Sequence, residues 1–342
     1  MKRLYFILCL PFMALFSACS TDIDLYADYK QVSIVYGLLD ANADTNFVKI
    51  TRAFYVEGNA YQVALNPDSS NYPGKLDARL VEYCNGDSVR EIVLDTITVR
   101  KKEQGMFYSA QKMYYTTEAL GRNWSHRRYS YKLKVVLPER TLTTKADLVG
   151  GDSYGVQSLG VNFSQEYFHA PARRFLFRPA INAGFYQVSM SFTFLEQRTP
   201  DGDSVPRTMH WDLGYWDEAT LAENMDEGCY VFKYRPELFY AILGEFIGGD
   251  TILEHGLKRY ITDYPVEVCI AAGGEKLRQY MYNNNDASGI AYGDPDLSLI
   301  DGGYGVFSSR MTTRSRVRLA GETVPELVAM RGWGFKFIGG RK

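Results

Sequence analysis

No run of apolar residues in this sequence is long enough to cross a bilayer as a helix. The longest, Leu4–Phe16, covers thirteen residues against the roughly twenty that a span needs, and Pro11 interrupts it. Cysteine is scarce, with five in 342 residues, and no two stand in a CxxC spacing, which argues against a ribbon-type metal site or a dithiol redox centre. The four histidines, His126, His169, His210 and His255, lie far apart with no HExxH pattern, so a catalytic zinc is not expected. A basic excess is missing too: 38 Lys and Arg stand against 40 Asp and Glu, which argues against a nucleic-acid partner. No internal repeat and no low-complexity tract is visible.

What is present begins with MKRLYFILCLPFMALFSACS. Lys2 and Arg3 precede the short apolar run, an arrangement that fits a secretory signal peptide better than a permanent span. Cutting after Ala18 by an ordinary signal peptidase would place bulky Phe16 where a small residue is wanted. The segment instead resembles a bacterial lipobox, in which small residues precede a cysteine whose thiol receives a diacylglycerol. Ser17, Ala18 and Cys19 match that pattern, whereas Phe16 departs from it, with Leu15 one position early. The resemblance implies residues 1–18 as a removed signal peptide, lipidation at Cys19 and a tether over 19–30. Several acyl chains on one cysteine would hold the body at a membrane, each buried methylene contributing about 0.8 kcal/mol. Ser20 follows the cysteine where an inner-membrane retention signal would have aspartate, and Asp22 and Asp24 resemble the acidic tether of some surface-exposed lipoproteins. A plain secreted protein cut elsewhere is the alternative.

Removing 18 residues leaves 324, enough for two domains of ordinary size. Without Lys2 and Arg3 the charge is 36 minus 40, or −4. Apolar residues make up 46% of the chain, so real cores can form. Its 26 Tyr and 19 Phe favour the half-buried surfaces of sheets. Once Cys9 is lost with the leader and Cys19 is lipidated, Cys84, Cys229 and Cys269 remain. An oxidising envelope permits a Cys229–Cys269 bridge, and three free thiols are the equal alternative.

Hydrophobic alternation predicts strands from Gln31 onward, with Val32, Ile34, Tyr36 and Leu38 on one face. Further strands are expected over Phe47–Val56, Leu76–Cys84, Ser88–Asp95 and Gly105–Ala110. Tyr129–Leu137 alternates most clearly, and the Thr-rich Thr141–Val149 returns after a turn at Pro138. Short strands at this spacing point to an N-terminal β-sandwich over 31–149, similar to an immunoglobulin-like or fibronectin-like module. A boundary is expected at Gly150-Gly151-Asp152-Ser153.

From 154 to 342 the pattern reads as α+β, a sheet-based domain with two or three short helices. Tyr186, Val188, Met190, Phe192 and Phe194 should line the inner face of a long strand, and a second strand leads to His210-Trp211. A helix should open at Pro236, with Phe239, Ile242, Leu243 and Phe246 as its stripe and Gly248-Gly249 as its end. A strand is expected at Tyr264–Ile270, with Tyr264 turned inward, and a second helix over Gly274–Asn283. Separate strands at Val306-Phe307 and Arg316–Leu319, a short helix over Val324–Met330 and a closing strand at Trp333–Ile338 complete the pattern.

Three stretches together resemble a group of Bacteroidetes outer-membrane lipoproteins of unknown function, often encoded beside TonB-dependent transporters. They are Val32–Asp40 with Val48–Arg52, Asn182–Val188, and Gly302–Arg310 (GGYGVFSSR). The resemblance implies an address at the outer membrane and a possible transporter as neighbour. It supplies no catalytic residue.

Several residue groups invite a functional role. GGYGVFSSR lacks the Walker spacing and is not a GxSxG elbow, so Ser308 and Ser309 fit a tight turn feeding a core strand better than a nucleophile. Asp294-Pro295-Asp296 and Asp301 offer oxygen ligands of the kind calcium prefers, without EF-hand order. His210-Trp211-Asp212 and Glu254-His255 are candidates for a site, and a pair of acids for glycoside hydrolysis is not selected by anything in the sequence. Arg314, Arg316 and Arg318, with Arg310 upstream, form the densest basic run. On a strand these three share one face, a stripe able to meet acidic sugars, lipopolysaccharide phosphates or an acidic partner, or simply to discourage strand pairing. Asp87-Ser88-Val89, Asp95-Thr96-Ile97, Asp203-Ser204-Val205 and Asp250-Thr251-Ile252 resemble an O-glycosylation signal of some Bacteroidetes.

The expectation for function is a non-enzymatic binding or accessory lipoprotein at the outer membrane, without cofactor or metal. Its partners would be the membrane through its lipid and an outer-membrane transporter or surface glycan. The alternatives are a fimbrial-type subunit, processed after Lys30, and an envelope hydrolase.

Overall fold

The computed structural model describes residues 32–53, 63, 66–100, 110–125, 127–165, 173–199, 202–248, 257–285, 299–330 and 332–338. The first half contains β1 (Ser33–Asp40), β2 (Asn46–Arg52), the one-turn helix α1 (Pro67–Ser70), β3 (Asp77–Cys84), β4 (Asp87–Val93), β5 (Asp95–Arg100), β6 (Ala110–Thr116), β7 (Tyr129–Val136) and β8 (Thr141–Asp147). Next come β9 (Gly155–Val156), β10 (Gly160–Val161), β11 (Arg173–Arg178), β12 (Phe185–Gln197), β13 (Val205–Asp217), α2 (Glu218–Ala222), β14 (Met225–Asp226) and β15 (Cys229–Tyr234). The last group is α3 (Pro236–Ile247), β16 (Lys258–Ile261), β17 (Val266–Gly273), α4 (Glu275–Asn285), β18 (Tyr304–Leu319), α5 (Thr323–Ala329) and β19 (Phe335–Phe337). The protein is mainly β, with several sheets and a few short helices.

Alternation sets which face each strand buries. In β7, Tyr131, Leu133 and Val135 are buried while Lys132 and Lys134 face water. In β12, Tyr186, Val188, Met190, Phe192 and Phe194 point inward and Ser189, Ser191 and Thr193 outward. The inward residues build two cores. One is lined by Val35, Val48, Tyr114, Leu80, Tyr131 and Leu133, drawn from two sheets of the first half. The other gathers the aromatics of the second half, where Phe239 of α3 stacks on Phe163 with ring centroids 4.0 Å apart. Burying a Phe side chain contributes roughly 1.5–3 kcal/mol, which makes this cluster a principal support of the second half.

Hydrogen bonding joins the stretches of chain that build the two cores. One sheet runs β19-β16-β12-β17-β18-β1-β2-β6-β5, with β13 also on β12, and it crosses from one half to the other between β18 and β1. β1 pairs in parallel with β18, Ile34 opposite Tyr304 through Asp40 opposite Arg310. The later part of β18 pairs antiparallel with β17, Arg310 opposite Gly273 through Val317 opposite Val266. Ile300 and Phe307, from the far end of the chain, therefore complete the first core. Smaller sheets of order β4-β3-β7-β8 and β14-β15-β11-β9 cover the two cores.

Several local expectations change. Val306-Phe307 and Arg316–Leu319 are parts of one strand, β18, because Ser, Thr and Arg side chains on its outer face do not interrupt a paired backbone. Ser88–Asp95 is two strands: the chain leaves β4, buries Leu94 and enters the other sheet as β5. The strand expected at Gly105–Ala110 begins at Ala110 and continues to Thr116; residues 101–109 lie outside those described. Tyr264 is 49% exposed, because the strand starts only at Val266 and Tyr264 lies across the Arg318 guanidinium instead. Cys84, Cys229 and Cys269 are all free thiols, so no Cys229–Cys269 bridge exists. Those two residues sit on strands of different sheets. Strands β11 and β15 and the short α2 were not anticipated.

Candidate binding face

The expected basic stripe lies on the outer face of the second-half sheet. Met311 and Val317 are buried on the inner side of β18, which turns Arg310, Arg314, Arg316 and Arg318 outward. At about 3.3 Å per residue, the four guanidiniums are carried along roughly 26 Å of a single strand. Arg314 and Arg316 are 63% and 78% exposed, both leaning toward Glu267 of β17 at 3.6 and 4.0 Å. Arg310 reaches Asp40 at 3.8 Å, and Arg318 covers the Tyr264 ring at 4.9 Å. Two carboxylates thus face four guanidiniums in these pairings, leaving a net positive edge to the face. Exposed pairs of this kind contribute about 0–1 kcal/mol, so the arginines are poorly committed to the fold.

Cross-strand register extends the face. Arg316 lies opposite Glu267, Glu267 opposite Ser191 and Ser191 opposite His210, one row over four strands. The next row holds Arg314, Cys269, Ser189 and Asp212. Ser191 Oγ and His210 Nδ1 are 2.9 Å apart, and Thr193 and Thr208 share a 2.9 Å hydroxyl contact. A serine beside a histidine raises the question of a nucleophile. Such a pair needs a third group orienting the imidazole and a site that excludes water. Asp212, the nearest acid along β13, accepts the Gly214 N–H at 2.9 Å, and the Ser191–His210 pair lies on an exposed sheet face. The rows make a hydroxyl-bearing surface, positive at its β18 side.

GGYGVFSSR is structural. Gly305 has φ +109°, and a side chain there would collide with the Val35 carbonyl of the neighbouring strand. Ser308 Oγ accepts the Leu277 N–H at the start of α4 at 3.2 Å. Ser309 Oγ accepts the Val149 N–H at 2.8 Å and donates to the Asp147 carbonyl at 2.6 Å. Beside this seam, Lys145, Asp147, Asn182, Glu275, Lys276 and Ser308 line a cleft of about 320 Å³. Lys276 donates to the Lys145 carbonyl at 2.7 Å, and its burial lowers the ammonium pKa despite Asp147 nearby. A second motif escaped the sequence reading: Gly151-Asp152-Ser153-Tyr154-Gly155 has GxSxG spacing. It lies on a turn between β8 and the two-residue β9 instead of between a strand and a helix, so it forms no nucleophile elbow.

A buried ionic cluster was also missed. Glu196 continues the inward face of β12 and meets Arg207 at 2.8 Å, Arg259 at 3.0 Å and Arg198 at 3.1 Å. Burial pushes its carboxyl pKa up, but the Arg207 and Arg259 guanidiniums outweigh that and hold it below the usual range. In the first half, buried Glu82 accepts the Tyr131 hydroxyl at 2.5 Å and Arg90 at 2.8 Å.

Of the remaining candidates, Cys19, Asp22, Asp24, Lys30, His126, His169, Glu254-His255, Asp294-Pro295-Asp296 and the Asp250-Thr251-Ile252 tripeptide lie outside the described residues. Asp301 is exposed, its backbone bridged to Thr143 of β8. Ser88 and Ser204 are exposed and Thr96 is half-buried. Among the described residues, no three His, Cys, Asp or Glu side chains cluster as metal ligands, and no helix is long and apolar enough to cross a membrane.

Neither a protein-family model nor a curated protein sequence matches the chain. Among solved structures, a DUF4785 family protein from Legionella pneumophila is similar at 12% identity and a TM-score of 0.23, over 70% of this chain and 52% of its own. The chain spans about half the length of that protein. A likeness of that degree carries no argument about fold or activity.

Proposed function

We propose that this protein is a non-enzymatic cell-envelope lipoprotein, held at the outer membrane by acyl chains on Cys19. It works there as a binding or accessory component that presents the outer face of β13-β12-β17-β18 to an anionic partner. An acidic surface glycan, or an acidic region of an outer-membrane transporter, has the required chemistry. The observation that carries the reading is the alignment of Arg310, Arg314, Arg316 and Arg318 on one exposed strand face, bordered by serine and threonine hydroxyls. Guanidiniums match carboxylates and phosphates in bidentate geometry, and a row on a rigid strand is preorganised for an extended polyanion.

The test is binding of the full chain, and of an R314S/R316S/R318S variant, to acidic and neutral polysaccharides and to solubilised outer-membrane proteins. Support requires capture of an acidic ligand by the native chain, weakened by salt and by the triple substitution. Equal binding by both forms, or no ligand from either source, overturns it.

A further inference from the structure

The inner face of β3 runs past the first core. Leu80, Glu82 and Cys84 alternate on that face and stand in rows with residues of β4 and β7. Ile92, Leu80 and Leu133 form an apolar row inside the core. Arg90, Glu82 and Tyr131 form a polar row beyond it, and Cys84 pairs with Tyr129 in the last. The register with β4 shifts between Glu82 and Tyr83, so Val89 has no partner on β3, and a bulge of this kind re-aims side chains. The face ends in a cleft of about 450 Å³ walled by Glu82, Cys84, Val89, Arg90 and Tyr129. Arg122 and Arg127, from the segment between β6 and β7, complete the lining. The Tyr129 hydroxyl donates to the Arg122 carbonyl and ties that segment to the sheet.

The charged groups of this cleft are unevenly committed. Glu82 is 5% exposed, and its Oε2 takes every bond the carboxylate makes, from Arg90 at 2.8 and 3.0 Å and from the Tyr131 hydroxyl. Its Oε1 has no hydrogen-bond partner among the described residues, and a carboxylate oxygen in a buried residue is costly to leave without one. Arg90 is fully engaged by Glu82, the Ala119 carbonyl and Glu118. Arg122 and Arg127 make no ion pair among the described residues; Arg127 reaches only the neutral Tyr129 hydroxyl. Asp87, opposite Cys84 at the end of the hairpin, is exposed and outside the lining.

We infer that this cleft binds a hydroxylated carboxylic acid of the uronic-acid class, one sugar residue in size. Its carboxylate meets the Arg122 and Arg127 guanidiniums, a hydroxyl donates to Glu82 Oε1, and the apolar face of its ring lies on Val89. A simple anion without hydroxyls leaves Glu82 Oε1 without its donor, and a neutral sugar leaves the two arginines unmatched, so each binds more weakly.

Cys84 reports on occupancy, because its half-buried thiol lines the cleft while the half-buried Cys269 lies away from it on β17. The test labels the full chain with N-ethylmaleimide in the presence of glucuronate, glucose or acetate, and locates the adduct by mass spectrometry. Glucuronate should slow labelling of Cys84 but not of Cys269, and glucose and acetate should slow neither at the same concentration. Calorimetric titration with glucuronate gives a second readout that does not depend on the reactivity of Cys84. An R122S/R127S variant with unchanged circular dichroism should bind at least ~tenfold more weakly, whereas R314S/R316S/R318S should bind as the native chain does. Neither heat nor protection with glucuronate up to ~10 mM, equal binding of glucose or acetate, or unaltered binding by R122S/R127S would each overturn the inference.

Discussion

Gly305 lies directly against the carbonyl of Val35, and that contact joins the two halves of the molecule. Gly305 takes φ +109°, and a β-carbon on it would overlap the Val35 carbonyl oxygen. Only glycine lets the strand from the C-terminal end pack in parallel beside the first strand. The consequence is a single sheet backing both cores, so β18 can present its outer arginines from a fixed frame.

Gly305→Ala is expected to destabilise the protein by more than about 1–3 kcal/mol, since it adds both backbone strain and a collision. Thermal melting should fall, with the first core losing Phe307 and Ile300 from its packing. An unchanged melting temperature would show that the parallel pairing is dispensable.

Ser309→Ala removes the acceptor for the buried Val149 N–H and the donor to the Asp147 carbonyl. A loss of about 1–3 kcal/mol in denaturant unfolding is expected, with polyanion binding unchanged once folded. Loss of binding at full stability would instead place Ser309 at a site.

Glu196→Gln breaks a buried ionic cluster and should cost about 3–5 kcal/mol at pH 7. The folded-state carboxyl pKa lies below its unfolded value, so its contribution is present above the ordinary carboxyl pKa and fades as pH falls through the lowered one. The stability gap between native and E196Q proteins should therefore narrow in acid. A gap that stays constant from pH 7 to pH 3 would contradict the ionic account.

Substituting Arg314, Arg316 and Arg318 together by Ser should leave stability within roughly ±0.5 kcal/mol, because their ion pairs are solvent-exposed. Affinity for an acidic polysaccharide should fall about tenfold, equivalent to ~1.4 kcal/mol, with a shallower salt dependence. Collapse of the fold would mean that the stripe serves the sheet.

How much of this was legible in the sequence follows from the range of each interaction. The alternation of Tyr186 to Phe194 and the side of β18 that Arg314, Arg316 and Arg318 occupy are local properties of a strand. The same period puts Glu196 on the inward face, a signal that was available and overlooked, since a charge at a core position calls for partners. Arg207 and Arg259, in contrast, come from other strands. The pairing of β1 with β18 joins opposite ends of the chain, and its only local trace is the left-handed glycine in GGYG. Leu94 shows a related gap: a strand that changes sheets keeps its alternation, so Ser88–Asp95 looked continuous. The rows running from Arg316 to His210 depend on register over four strands, which no single segment encodes.

The most direct test of the whole account is intact mass spectrometry of the mature chain isolated from the envelope. An N-terminus at Cys19, with a mass increment for a thioether-linked diacylglycerol, is the expected result. A mature chain with an unmodified Cys19, or one that still begins ahead of it, would contradict the membrane-anchored function proposed for this protein.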